Sequence, residues 1–212
     1  ELDKELEVRG HKFVRYADDC NIYVRSQLAG ERVMESVSNF IENKLKLLVN
    51  RDKSKVCKVN QATFLGHTIQ NNGNLSIARK SIDRFKAKVR SITKRNRGIK
   101  FEQVIAELTP FMRGWLTYFH HARCKSLLET LDSWIRRKLR CYRLKQCKRV
   151  ITLQQFLKSR GVETWNSWIL ALSGKGYWCK SGCPQAHQAL SNKWFDEIGL
   201  YNLTLNYEKL NS

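Results

Sequence analysis

The feature that most constrains this fold is a change in apolar spacing near residue 78. Before it, apolar residues gather in short runs rich in β-branched and aromatic side chains; after it, they recur every three to four positions. The first pattern suits strands, whose side chains alternate across a sheet. The second suits helices that bury one stripe. The chain is therefore read as α+β, with a mixed region over 1–77, a helical region over 78–150 and a helical C-terminal extension over 151–212.

In the mixed region, 13–16 and 20–24 are predicted strands flanking Ala17-Asp18-Asp19, a combination that suits a tight hairpin turn. Val33, Val37, Phe40, Ile41, Leu45 and Leu48 predict an amphipathic helix, with Gly30 before it and Asn50 as its stop. Further strands are expected at 56–59, 62–69 and 75–77, with a turn at 71–74. In the helical region, Ile82, Phe85, Val89 and Ile92 give one face of a helix over 81–97. Thr109-Pro110 reads as a helix start, because proline's missing N–H costs nothing at the first helical position. Phe111, Trp115, Tyr118 and Phe119 would then share one side, another helix is expected over 126–149, and Trp165 and Trp168 read as core.

Charge narrows the function. Lys and Arg number 39 against 19 Asp and Glu, a formal net charge of +20. Such an excess repels itself unless a polyanion is near, and nucleic acid releases counterions when its phosphates are neutralised. The densest basic stretch runs from Arg136 and Arg137 through Arg140, Arg143 and Lys145 to Lys148 and Arg149. Arg136, Arg140 and Arg143 fall on one helical face, where like charges destabilise an isolated helix. Arg113 is exposed by its helical phase. No apolar run approaches the roughly 18 residues of a membrane span. The seven cysteines are odd in number and scattered, which fits reduced thiols and a cytoplasmic location better than a disulfide framework. Cys179 and Cys183, with His187 beyond, could form half of a zinc site, although structural zinc needs four ligands.

Asp18 and Asp19 place two like charges side by side in a turn. Asp is also an ordinary turn residue, but such a pair would be relieved by a hard divalent cation such as Mg²⁺. Tyr16-Ala17-Asp18-Asp19, preceded by Phe13-Val14-Arg15, resembles the Tyr-x-Asp-Asp hairpin of reverse transcriptases. Downstream, Asn50 to Lys55 resembles that family's lysine-containing segment, and Phe64-Leu65-Gly66-His67 its primer-holding hairpin. Leu108 to Trp115, continuing to Tyr118-Phe119, resembles the maturase, or thumb, domain of group II intron-encoded proteins, while Gly174 to Trp178 and Asn192 to Leu200 resemble the tail of bacterial members.

The resemblance implies the back of a reverse transcriptase palm followed by a helical thumb. It implies Asp18 and Asp19 as catalytic ligands of Mg²⁺, Lys53 as a nucleotide contact, and Phe64, Leu65 and Gly66 at the primer end. It implies group II intron RNA, an RNA template with a DNA primer, and deoxynucleotides as partners, with target DNA as a further one. The family also needs a third aspartate on an earlier strand. Here only Asp3 precedes the hairpin, in a segment that reads as a helix end, and the first residue is Glu1 rather than Met, so an upstream portion is expected. Two other readings stay open: a non-catalytic RNA-binding splicing module, and a DNA-binding module for target recognition.

Overall fold

The structure is a computed structural model that describes residues 1–212. The chain forms two compact units, Glu1–Ala78 and Arg79–Ser212.

The first unit opens with helix α1 (Leu2–Val8), followed by strands β1 (Lys12–Tyr16) and β2 (Asp19–Tyr23). These two pair antiparallel, with Lys12 opposite Tyr23 and Tyr16 opposite Asp19, and form a two-stranded sheet on their own. Helix α2 (Gln27–Asn39) starts at Ser26, whose hydroxyl accepts from the Ala29 amide at 3.2 Å. Gly30 therefore lies inside this helix and not before it. The cause is tertiary: a Cβ on Gly30 would come within 2.6 Å of Val56 Cγ1, so only bare backbone lets that segment close in. The helix does not reach Asn50. It widens into a π turn over Phe40–Lys44, where the Leu45 amide reaches back to the Phe40 carbonyl, and Lys46 then takes φ 56°. Leu48, expected on the buried stripe, is 97% exposed.

Residues 56–58 form no strand, and Val59–Gln61 is a single 3₁₀ turn. The expected strand over 62–69 shrinks to β3 (His67–Ile69), which pairs with β4 (Leu75–Ile77). The apolar core of this unit is thin: Leu6, Val37, Phe40, Ile77 and Ala78.

The second unit is helical throughout. Helix α3 (Arg79–Ile92) buries Phe85, Val89 and Ile92. Helix α4 (Phe101–Phe119) runs unbroken through Pro110, so Thr109-Pro110 is not a helix start. The start lies a full turn and more upstream, where Gln103 Oε1 accepts from the Lys100 amide at 3.2 Å. An interior proline costs about 3 kcal/mol. Complete burial of Leu108 and Met112 on either side offsets it, since each such side chain contributes about 1.5–3 kcal/mol. Thr109 instead donates its hydroxyl to the Gly199 carbonyl at 3.3 Å.

Helix α5 (Lys125–Gln146) is the spine of this unit. It packs against α8 (Tyr177–Lys180) and α11 (Leu203–Leu210). Between them in sequence lie α6 (Val150–Ser159), α7 (Thr164–Leu172), α9 (Pro184–Ala189) and α10 (Asn192–Glu197). Phe85 stacks near Phe111 and Trp115, at centroid distances of 5.3 and 4.4 Å, so those aromatics pack against α3. Trp165 is 71% exposed and so is not core, whereas Trp168 is half-buried. No helix is long and apolar enough to cross a membrane.

Candidate catalytic hairpin and nucleic-acid interface

Asp18 and Asp19 sit at the tip of the β1–β2 hairpin. Because Tyr16 pairs with Asp19, Ala17 and Asp18 make up the whole turn. Ala17 has φ 52° and Asp18 does not have a positive φ, the sign pattern of a type II′ turn. Glycine takes that first position freely, whereas an alanine there costs about 1–2 kcal/mol. Both aspartates are exposed, and no lysine or arginine pairs with either carboxylate.

The turn is braced by Arg15. Its Nε and Nη2 donate to the two carboxylate oxygens of Asp3 at 2.5 and 2.6 Å, and its Nη1 donates to the Ala17 carbonyl at 2.7 Å. One guanidinium thus ties α1 to the strained end of the hairpin. The Arg15 hydrogen bonds hold the Asp3 carboxyl below the ordinary carboxylate range, and the charge of Arg15 adds to the effect. Asp3 is therefore committed to Arg15. Burial pushes the neighbouring Cys20 thiol up.

Two adjacent exposed carboxylates with no competing cation suit Mg²⁺. That ion takes one or two carboxylates and completes its octahedron with water and substrate phosphates. No group of three or more His, Cys, Asp or Glu side chains that could hold a metal ion forms anywhere in the chain. The pair stands without a third acidic neighbour, and Cys179, Cys183 and His187 assemble no zinc cage. Cys183 Sγ instead donates to the Cys179 carbonyl at 3.6 Å.

Lys53 is exposed in a turn, where its amide donates to the carbonyl and side-chain oxygen of Asn50, both at 3.2 Å. Phe64-Leu65-Gly66-His67 forms its own two-residue hairpin. Phe64 and His67 exchange both backbone hydrogen bonds at 2.9 Å, and Leu65 and Gly66 have φ 49° and 77°. Positive φ at both central residues is the type I′ signature, which makes Gly66 a conformational requirement. His67 Nδ1 lies 3.1 Å from the Leu65 carbonyl.

In the second unit, Lys145, Lys148, Arg149 and Arg113 are exposed, and Arg136, Arg137 and Arg143 are half-buried. Arg113 lies over Tyr201 at 5.6 Å, and Arg143 over Phe156 at 4.5 Å. Arg140 is the exception to the expected phosphate-binding face. It is only 3% exposed, donates from Nε to the Leu190 carbonyl at 2.9 Å, and reaches Asn192 Oδ1 at 3.3 Å. Burial, and then the charge of Arg136, lowers its pKa to about 10. Arg140 is an internal tie between α5 and the segment entering α10, and no phosphate can reach it.

Residues 1–69 match the family model for reverse transcriptase (RNA-dependent DNA polymerase), and residues 82–161 match that for the group II intron maturase-specific domain. The chain belongs to the group II intron reverse transcriptase/maturase family. No curated protein matches it. The reverse transcriptase match contains the hairpin carrying Asp18 and Asp19, and the maturase match contains Arg113 and the whole of α5.

Two features of this maturase chain escaped sequence reasoning. One is the Arg15–Asp3 brace, whose only sequence signal is that Arg15 is the sole cation between Lys12 and Arg25. The other is a set of cations around Trp134 and Trp178: helical spacing brings Lys138 to Trp134, but Arg90 and Trp178 arrive from remote segments.

Proposed function

We propose that the first unit supplies the paired-carboxylate part of an RNA-directed DNA polymerase site, and that the second binds group II intron RNA and the RNA template–DNA primer duplex. The observation that carries this reading is the exposed, cation-free Asp18–Asp19 pair on a turn fixed by Arg15. Asp18 and Asp19 would hold Mg²⁺, which when bound supplies charge neutralisation at the attacking hydroxyl and the leaving oxygen. Lys53 offers its ammonium to the phosphates of an incoming deoxynucleotide. The Phe64-Leu65-Gly66 turn offers backbone and an apolar edge to the primer end. Arg113, Arg136, Arg137, Arg143, Lys145, Lys148 and Arg149 supply positive charge to RNA. The contribution of such a site is mostly positioning and fixed charge.

A second reading has its own support. The acidic pair gathers no third acidic partner, and Asp3 is held by Arg15. Both facts favour a splicing module that binds RNA without polymerising. Primer extension on an RNA template with Mg²⁺, with Asp18→Ala as control, separates the two. Extension abolished by the substitution supports the polymerase reading, and extension indifferent to it refutes the assigned site. Tight RNA binding with no extension selects the splicing module.

A further inference from the structure

Three cations in the second unit converge on two tryptophans, and a fourth lies beside them. Arg137 lies 4.3 Å from the centroid of the Trp178 ring, and Lys138 lies 5.4 Å from the same ring. Lys138 also lies 5.6 Å from the Trp134 ring, as does Arg90 from α3. Arg95 stands close by, with Nη1 3.6 Å from the Cys141 sulfur. None of the four forms an ion pair with a carboxylate. Arg137 is the most confined. Its Nη2 donates to the Trp178 carbonyl at 3.3 Å, and its guanidinium lies so close to Gly182 that a Cβ there would be 3.1 Å from Nη2. Its Nε is buried and has no hydrogen-bond partner.

A cation held against a ring and a glycine backbone has lost its side-chain entropy before any ligand arrives. A guanidinium N–H buried without a partner costs free energy, and like charges around one ring repel. Burial, then Arg90 and then Arg95, lowers the Lys138 pKa, the effect expected where cations crowd without a counter-ion. Ring–cation attraction offsets part of this but leaves the charge uncompensated. The ligand that removes the penalty is an anion. Because cations already lie against both tryptophans, base stacking on the indoles is the less suited use, and backbone phosphate the better one.

We propose that Arg90, Arg137 and Lys138, set around Trp134 and Trp178, form with the neighbouring Arg95 a clamp for the phosphates of an RNA backbone. This rests on the reading that the second unit binds RNA, and it adds which side chains grip and which chemical group they hold. The clamp reads phosphate and not sequence, so it fixes RNA in register without selecting bases.

The test is the salt dependence of binding of the whole chain to a 20-base-pair RNA duplex. Arg137→Gln and Lys138→Gln are compared with Lys193→Gln, a cation outside the cluster, and melting curves confirm that each variant is folded. Each clamp substitution is expected to weaken binding about tenfold at moderate salt and to flatten the slope of log K against log salt by about 0.7–0.9, one phosphate each. Lys193→Gln leaves both unchanged. Duplex binding that survives both clamp substitutions with its slope intact overturns the clamp while sparing RNA binding by the unit. Weaker binding at unchanged slope also overturns it, because the lost contact was then not to phosphate. An unaltered chain that fails to bind the duplex overturns both readings.

Discussion

Replacing Asp132 should detach the last helix of the second unit. Asp132 lies on α5, is 4% exposed, and is aimed at the N-terminus of α11. Oδ1 accepts from the Leu203 amide at 3.0 Å, and Oδ2 accepts from the Thr204 amide at 2.9 Å and the Thr204 hydroxyl at 2.7 Å. A carboxylate thus satisfies two of the amide groups that a helix start leaves open, and its charge complements the helix dipole. Hydrogen bonds to a charged group contribute about 1.5–3 kcal/mol each, but three sharing one carboxylate do not add fully. Asp132→Ala should therefore cost about 3–5 kcal/mol. For a unit of this size that is a fall in Tm of about 10–15 °C. Thr204→Val removes only the hydroxyl bond and should cost about 1 kcal/mol. Urea denaturation gives the magnitudes, and hydrogen exchange gives the location, since the Leu203 and Thr204 amides should lose protection before the middle of α5 does. An Asp132→Ala variant that loses less than Thr204→Val, or one whose α11 amides stay protected, would refute the reasoning.

At the turn, Ala17→Gly relieves about 1–2 kcal/mol of left-handed strain but gives back about 0.5–1 in chain entropy. Exchange protection across β1 and β2 should rise a few-fold, and a fall would mean that Ala17 is not strained. The Asp3 carboxyl is depressed in the folded state, so the stability from its pairing is present above the unfolded value near 3.9 and is lost as pH falls through the lower folded value. Its NMR titration midpoint should move up toward that unfolded value in Arg15→Gln, and an unmoved midpoint would remove the brace. Among the cysteines, Cys57 and Cys179 are exposed, whereas Cys124 is buried and its thiol is pushed up to about 11. Brief alkylation at pH 8 followed by mass spectrometry should label Cys57 and Cys179 and spare Cys124; early labelling of Cys124 would mean that the start of α5 opens.

What the sequence made legible was what depends on near neighbours. The Ala17-Asp18 turn, the strands beside it and the buried face of α3 follow from residues a few positions apart. What it hid depends on distant ones. Gly30 looked like a helix boundary because its partner, Val56, is remote in sequence. Pro110 looked like a helix start because local rules carry no information about the core that holds α4 straight through it. Arg140 has the composition and phase of a phosphate contact, yet the Leu190 carbonyl that claims it lies 50 residues on. The Asp132 cap spans 71 residues. At the candidate site, the acidic pair could be read directly, while the brace that fixes it could not, because Asp3 and Arg15 meet only once α1 and β1 have formed.

The two units share one electrostatic character. Seven ion pairs form in a chain with 39 basic residues, and most of those pairs lie on the surface, where each contributes about 0–1 kcal/mol. Charge is therefore not what holds this protein together; buried leucines and aromatics along α4 and α5 do that. A fold stabilised by its core can leave charges unpaired where a ligand would use them. In the first unit the unpaired charges include two adjacent aspartates that suit a divalent cation. In the second they include cations fastened to tryptophans, which suit phosphate. Adding internal carboxylates near Arg137 or Lys138 would raise stability by relieving repulsion while lowering RNA affinity. The same logic applies at the hairpin, where a lysine beside Asp18 would quiet the turn and compete with any divalent cation for its carboxylate. On the proposed reading, the charges that folding leaves uncompensated are the ones a metal ion and a phosphate backbone would neutralise.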